Sequence, residues 1–166
     1  KQLATEKGQD LSVVVLEKGS EPGAHILSGA IMDPKALSEL IPDWQARGAP
    51  LKQPVTDDAY VFLGEKTGFR VPNMVLPPFA DNHGNYIISL GEVTKWMAEQ
   101  AEALGVEIFP GMACSELIYG ENGELSGVVA GEFGKNADGT PGPSYEPGMV
   151  LSGKYVFLSE GVRGSL

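Results

Sequence analysis

The sequence predicts a mixed α/β fold, with α/β and α+β character together, on three observations. Glycine and proline are abundant, 22 and 12 of 166 residues, against roughly 12% combined in average usage. Both are poor in helix interiors, so long-helix and coiled-coil architectures are excluded. A β-branched run at residues 12–16 shows no polar alternation, as a strand covered on both faces would. An amphipathic helix at 91–104 stands between two strand-like runs. Hydrophobic residues are 42% and charged residues 20% of the chain, enough apolar side chain for one core.

Residues 1–7 are good helix formers and stop at Gly8. The strand at 12–16 runs out in Glu17-Lys18-Gly19, and Ser20-Glu21-Pro22-Gly23 reads as a turn. Asp33 as N-cap and Pro34 at the first helical position start a helix to about Leu40. Residues 42–58 read as irregular connection. Tyr60–Leu63 and 68–72 read as a hairpin, and 73–80 as an apolar loop bearing prolines. Residues 86–90, the helix at 91–104 and residues 106–109 form a strand–helix–strand stretch. The helix places Val93, Trp96, Met97, Ala101 and Leu104 on one face. Residues 116–119 and 125–130 flank Asn122-Gly123, a strong hairpin signal. Residues 134–147 read as a polar Gly/Pro loop, and 149–151 and 155–158 as two closing strands. No internal repeat and no linker stands out.

The chain carries 22 Asp and Glu against 12 Lys and Arg, a net charge of −10. It has no basic run with which to neutralise phosphates, so nucleic-acid binding is excluded. The single cysteine, Cys114, forms no internal disulfide and reads as a buried structural thiol. No run approaches the ~18 apolar residues of a membrane span. His25 and His83 stand far apart with no carboxylate at ligand spacing, and Asp33, Asp43, Asp57 and Asp58 show none either, so no metal site is expected. The chain begins at Lys1 in what reads as the tail of a helix, so it is expected to be a piece of something longer.

Four features could carry chemistry. Glu17 ends a core strand, where a dinucleotide-binding βαβ unit places an acid on a ribose hydroxyl. The preceding G-x-G-x-x-G is absent, and the plain alternative is a surface carboxylate. In the loop Gly23-Ala24-His25-Ile26-Leu27-Ser28-Gly29-Ala30, two glycines flank His25 and Ser28, so backbone can approach a flat ligand. The alternative is an ordinary connection. Glu160-Gly161 with Gly164 follows the expected strand at 155–158, and such a turn offers N–H groups to an anion and an acid to sugar hydroxyls. The alternative is a simple turn. Last, Phe69, Val71, Met74, Val75, Leu76 and Phe79 are interleaved with Pro72, Pro77 and Pro78. Proline removes backbone donors, which suits a greasy partner or a membrane surface, or a loop folded over the core.

Several long strings then carry a resemblance. Val15-Leu16-Glu17-Lys18-Gly19 with the loop from Gly23 to Ala30, Leu40-Ile41-Pro42-Asp43-Trp44, Gly48-Ala49-Pro50-Leu51, Asn82-His83-Gly84-Asn85-Tyr86-Ile87-Ile88, the string from Trp96 to Glu107, and Glu160-Gly161-Val162-Arg163-Gly164 occur in order. Together they resemble the electron-transfer-flavoprotein:ubiquinone oxidoreductase family over essentially the whole chain. The resemblance implies a partial FAD/NAD(P)-binding Rossmann-like flavoprotein fold with an inserted antiparallel sheet. Residues 1–58 and 91–166 would belong to the FAD-binding domain, and 59–90 to a quinone domain facing the membrane.

It further implies FAD, one [4Fe–4S] cluster with ligands outside this segment, and electron transfer flavoprotein and ubiquinone as partners. Glu17, with Lys18, would hold the adenosine ribose. Gly23, His25, Ser28 and Gly29 would run beside the flavin, and Glu160, Gly161 and Gly164 would meet its ribityl–pyrophosphate part. Phe69, Val71, Met74, Val75, Leu76 and Phe79 would face membrane or quinone. No residue of this segment is expected to transfer protons, because flavin and cluster carry the redox chemistry. The place implied is the inner membrane, on the bacterial cytoplasmic or mitochondrial matrix face, in the electron transport that serves fatty-acid β-oxidation. The piece alone is expected to bind FAD poorly and to be inactive. A geranylgeranyl-reductase-like flavoprotein or a non-catalytic α/β interaction module are the alternative functions.

Overall fold

The computed structural model describes residues 1–26, 29–161, 164 and 166. In chain order the elements are α1 (Gln2–Glu6), β1 (Val14–Glu17), β2 (Ala30–Met32), α2 (Lys35–Leu40), β3 (Gln53–Pro54), β4 (Tyr60–Leu63), β5 (Gly68–Val71), β6 (Tyr86–Ile88), α3 (Leu90–Ala103), β7 (Glu107–Pro110), β8 (Cys114–Tyr119), β9 (Leu125–Ala130), β10 (Phe133–Lys135), β11 (Pro141–Glu146) and β12 (Met149–Ser152). Single 3₁₀ turns lie at Asn73–Val75 and Pro78–Ala80. The mixed α/β class is observed, with the strands of the described residues distributed over five small sheets. Two compact units result, one of residues 1–24 and 98–166, the other of residues 25–97.

In the first unit, α1 ends where Gly8 adopts φ +64°, with Gly8 N–H donating to Thr5 O and Gln9 N–H to Ala4 O. The valine run becomes β1, paired in parallel with β7 from Val14↔Glu107 to Glu17↔Pro110. Burial on both faces is not observed: Val14 and Val15, on opposite faces of a sheet that has two strands among the described residues, are each 43% exposed. The strands β12, β9 and β8 form an antiparallel sheet with β9 in the centre, which is why Val128 and Ala130 on that strand are buried. Gly123, at φ +83°, makes the expected turn between β8 and β9.

Two expectations in this unit are corrected. Residues 134–147 are not a loop but supply most of a hairpin, β10 with β11. Its turn is closed by Asn136 N–H donating to Thr140 O at 2.8 Å, with Gly139 at φ +84°. Beside it Glu132 accepts from Tyr145 Oη at 2.9 Å and pairs with Lys135 Nζ at 2.7 Å. Residues 155–158 are not a strand. A strand needs a partner ladder, and Tyr155 and Phe157 stand 84% and 88% exposed instead.

The second unit has its core around Leu37, Trp44, Leu51, Ile88, Val93 and Trp96, with Met32 and Tyr86 packed against them. β6 lies between β2 and β3, antiparallel to both, so the stretch 42–58 is not wholly irregular but contributes β3. Trp44 meets the Tyr86 ring edge-on at 5.7 Å and donates its indole N–H to Ser38 Oγ at 2.9 Å. α2 starts one residue later than expected, with Pro34 at the N-cap, while Asp33 Oδ1 still accepts the Lys35 N–H at 2.9 Å. The strands at either end of α3 enter different sheets, β6 antiparallel and β7 parallel. Of its expected apolar face, Val93 and Trp96 are buried, and Met97 and Leu104 are not. No helix among the described residues is long and apolar enough to cross a membrane.

Candidate functional site

The carboxyl ends of the parallel strands β1 and β7 are laced together by their following loops. Gly111 N–H donates to Gly19 O at 2.7 Å, and Met112 N–H donates to Glu17 O at 3.0 Å. Glu17, half-buried, turns its carboxylate back so that Oε1 accepts the Gly19 N–H. Gly19 is buried, and a Cβ there would lie 3.1 Å from Glu17 Oε1, 3.2 Å from Glu21 O and 3.3 Å from Ala24 Cβ. Only glycine fits without moving this turn, and the turn holds the acid. Gly23 adopts φ +89°, and Lys18 is exposed. The arrangement presents a carboxylate acceptor at the end of a parallel sheet, where hydroxyl-bearing ligands bind in α/β folds.

Glu160 lies in the same unit, outside any strand. Its Oε2 accepts the Leu166 N–H at 3.0 Å, and a Cβ on Gly164 would approach that oxygen to 2.6 Å. Gly161 has φ +77°. The Cys114 thiol is raised above its ordinary pKa, first by burial and then by the Glu160 charge. Cys114 is half-buried rather than fully buried. It follows directly on residues 111 and 112, whose N–H groups bond the carbonyls of Gly19 and Glu17. His25 is exposed and Gly29, at φ +89°, meets open space; both belong to the second unit. Ser28 lies outside the described residues, as do Val162 and Arg163.

The second unit carries an apolar surface. β4 and β5 pair Tyr60↔Val71, Val61↔Arg70 and Phe62↔Phe69. Phe62, Leu63, Phe69, Met74 and Phe79 are 66–90% exposed, and Val75 is 67% exposed. Val71 and Leu76 are half-buried instead. Beside the loop, a groove is lined by Met74, Leu76, Pro77, Pro78, Ala80 and His83. These exposed apolar side chains lie on the hairpin and on the loop that follows it.

No protein-family model matches the chain. Curated proteins do, along all of its length. It is 52% identical to the electron transfer flavoprotein-ubiquinone oxidoreductase of Pseudomonas aeruginosa, 49% to the mitochondrial protein of that name from Dictyostelium discoideum, and 47% to that of Mus musculus. The chain is homologous to a segment of the electron transfer flavoprotein-ubiquinone oxidoreductases. It spans 30% of the Pseudomonas protein and 27% of the other two.

Two structural features were not singled out in the sequence. Phe62 and Leu63 extend the apolar surface onto β4, and a run of Tyr-Val-Phe-Leu reads equally as core strand. Asp58 gathers Arg70, Asn73 and Asn82 around it. Its partners lie 12 to 24 residues away, so no local pattern announces them. Among the described residues no group of three or more His, Cys, Asp or Glu could hold a metal ion.

Proposed function

We propose that the chain is part of a membrane-associated flavoprotein that passes electrons from reduced electron transfer flavoprotein to ubiquinone. The carrying observation is the match over the whole chain to oxidoreductases of that name, at 46–52% identity. Two features of the structure support it: an acid held at the carboxyl end of a parallel strand pair, and an apolar surface presented outward.

Residues 1–58 and 91–166 belong, on this reading, to an FAD-binding domain of Rossmann-like kind, and 59–90 to a quinone domain that meets the membrane. The residues present fit FAD in part. The Glu17 carboxylate is aimed by the Gly19 turn, as an acceptor for ribose hydroxyls must be. Glu160, Gly161 and Gly164 supply an acid and glycine backbone without a Cβ to block approach. Bound FAD supplies the redox chemistry; this segment binds and orients it. Gly23, His25, Ser28 and Gly29 would run along the flavin. Phe69, Met74, Val75 and Phe79, with Val71 and Leu76 behind them, would rest on lipid or lead quinone inward. The [4Fe–4S] cluster would be held outside this segment.

The test is electron transfer by the full-length parent protein. Reduced electron transfer flavoprotein and a short-chain ubiquinone analogue are expected to give rapid, protein-dependent quinone reduction. No reduction by a flavin-replete preparation would overturn the proposal.

A further inference from the structure

We propose that Asp58 is a positioning residue that sets the presentation of the apolar surface for docking onto lipid, an inference that rests on the membrane reading above. Asp58 sits two residues before the first residue of β4 and is half-buried. Its carboxylate Oδ2 accepts from the Asn82 backbone N–H at 3.2 Å and from Asn82 Nδ2 at 2.9 Å. Its own carbonyl accepts from Arg70 Nη2 at 3.1 Å and from Asn73 Nδ2 at 3.2 Å. One residue thus ties the hairpin, through Arg70, to both ends of the apolar loop, through Asn73 and Asn82.

The anchor continues into the core. Asn82 Oδ1 accepts from Asn85 Nδ2 at 3.3 Å, and Asn85 O accepts the N–H of buried Val55 at 2.9 Å. Arg70 also pairs with Asp57 at 3.2 Å. Between the two clamps the loop bonds only locally in the bonds described, Val75 N–H to Pro72 O and Ala80 N–H to Pro77 O among them. Pro72, Pro77 and Pro78 remove three backbone donors that a sheet partner would have used. Met74 and Phe79, 90% and 88% exposed, project from a loop held in place by its ends. Fixing the loop before contact lowers the entropy lost when the surface docks. Unclamped, such a loop folds its apolar side chains away from water or must be ordered at the moment of binding.

The experiment is sedimentation of the full-length parent with phosphatidylcholine vesicles. Asp58→Ala is expected to lower vesicle association by roughly fivefold, since it removes two hydrogen bonds that preorganise the surface. Flavin content and reduction of a water-soluble acceptor stay as in the parent. Asp58→Asn keeps one acceptor oxygen and is expected to restore most of the association. A core variant, Leu37→Ala, lowers the melting temperature at least as much and is expected to leave association unchanged. Equal association of Asp58→Ala and parent overturns the proposal, as does an equal loss in Leu37→Ala. The triple variant Met74→Ser, Val75→Ser, Leu76→Ser separates the two ideas. If it moves to the supernatant while Asp58→Ala does not, the membrane reading stands and the positioning role falls. If it stays with the vesicles, the membrane reading itself falls and this role with it.

Discussion

The turn after β1 and the surface built on β4 and β5 solve opposite problems. Around Glu17 the polar groups described are committed at short range: its carboxylate to Gly19, its carbonyl to Met112, and the Gly19 carbonyl to Gly111. A Cβ at Gly19 would sit 3.1 Å from Glu17 Oε1 and 3.2 Å from Glu21 O, so these neighbours would have to give way. Around Met74 and Phe79 the side chains touch little, and only the loop ends are fixed. The first region can act only through exact shape, so small steric changes should be felt. The second acts through exposed apolar area, so its side chains tolerate change in shape but not in polarity, and its fragility lies in what supports it.

The largest expected effect comes from the core of the second unit, to which neither region belongs. Trp44 packs edge-on against Tyr86 and bonds Ser38 at the centre of the second unit's core. Trp44→Ala is expected to cost about 3–5 kcal/mol, the range for truncating a buried aromatic. A urea melt of the parent protein measures it. A loss below about 1 kcal/mol would mean that Trp44 is not a packing centre of this core.

Next, Gly19→Val tests the shape-limited region. The added side chain must push Glu17 Oε1, the Glu21 carbonyl and Ala24, and overpacking of this kind costs about 1–3 kcal/mol. The purified parent should lose flavin, read from its visible absorbance, and Glu17→Ala should lose less because it leaves the turn intact. Full flavin in both variants would remove the turn from the cofactor site. The contrast with the apolar loop is direct, for serine substitutions there should leave flavin content alone.

The same contrast explains how much was legible. The valine run before Glu17 reads as a strand because contiguous β-branched residues suit few other structures, and Asn122-Gly123 announces its turn through the one residue that accepts φ +83°. The run at 155–158 has the same apolar look yet forms no strand, because pairing is a property of a partner and not of the run. The hairpin of β10 and β11 was hidden by its own glycines and prolines, which composition assigns to loops. The acids Glu17 and Glu160 could be named from their place beside glycines. Asp58 could not, since Asn82 lies 24 residues away and nothing in Asp57-Asp58 sets it apart from a solvated pair.

The smallest effect addresses the relation of Glu160 to Cys114. Burial first, and then the Glu160 carboxylate, push the Cys114 thiol above its usual pKa. A nearby negative charge disfavours the thiolate, so removing it should move the pKa down. Glu160→Gln is therefore expected to speed alkylation of Cys114 by iodoacetamide at pH 8 by roughly two- to threefold, because only the thiolate reacts. The gain should shrink at high pH, where both proteins are ionised, and should fade in high salt as the charge is screened. An unchanged rate across that range would mean that Glu160 does not sit beside Cys114 in solution.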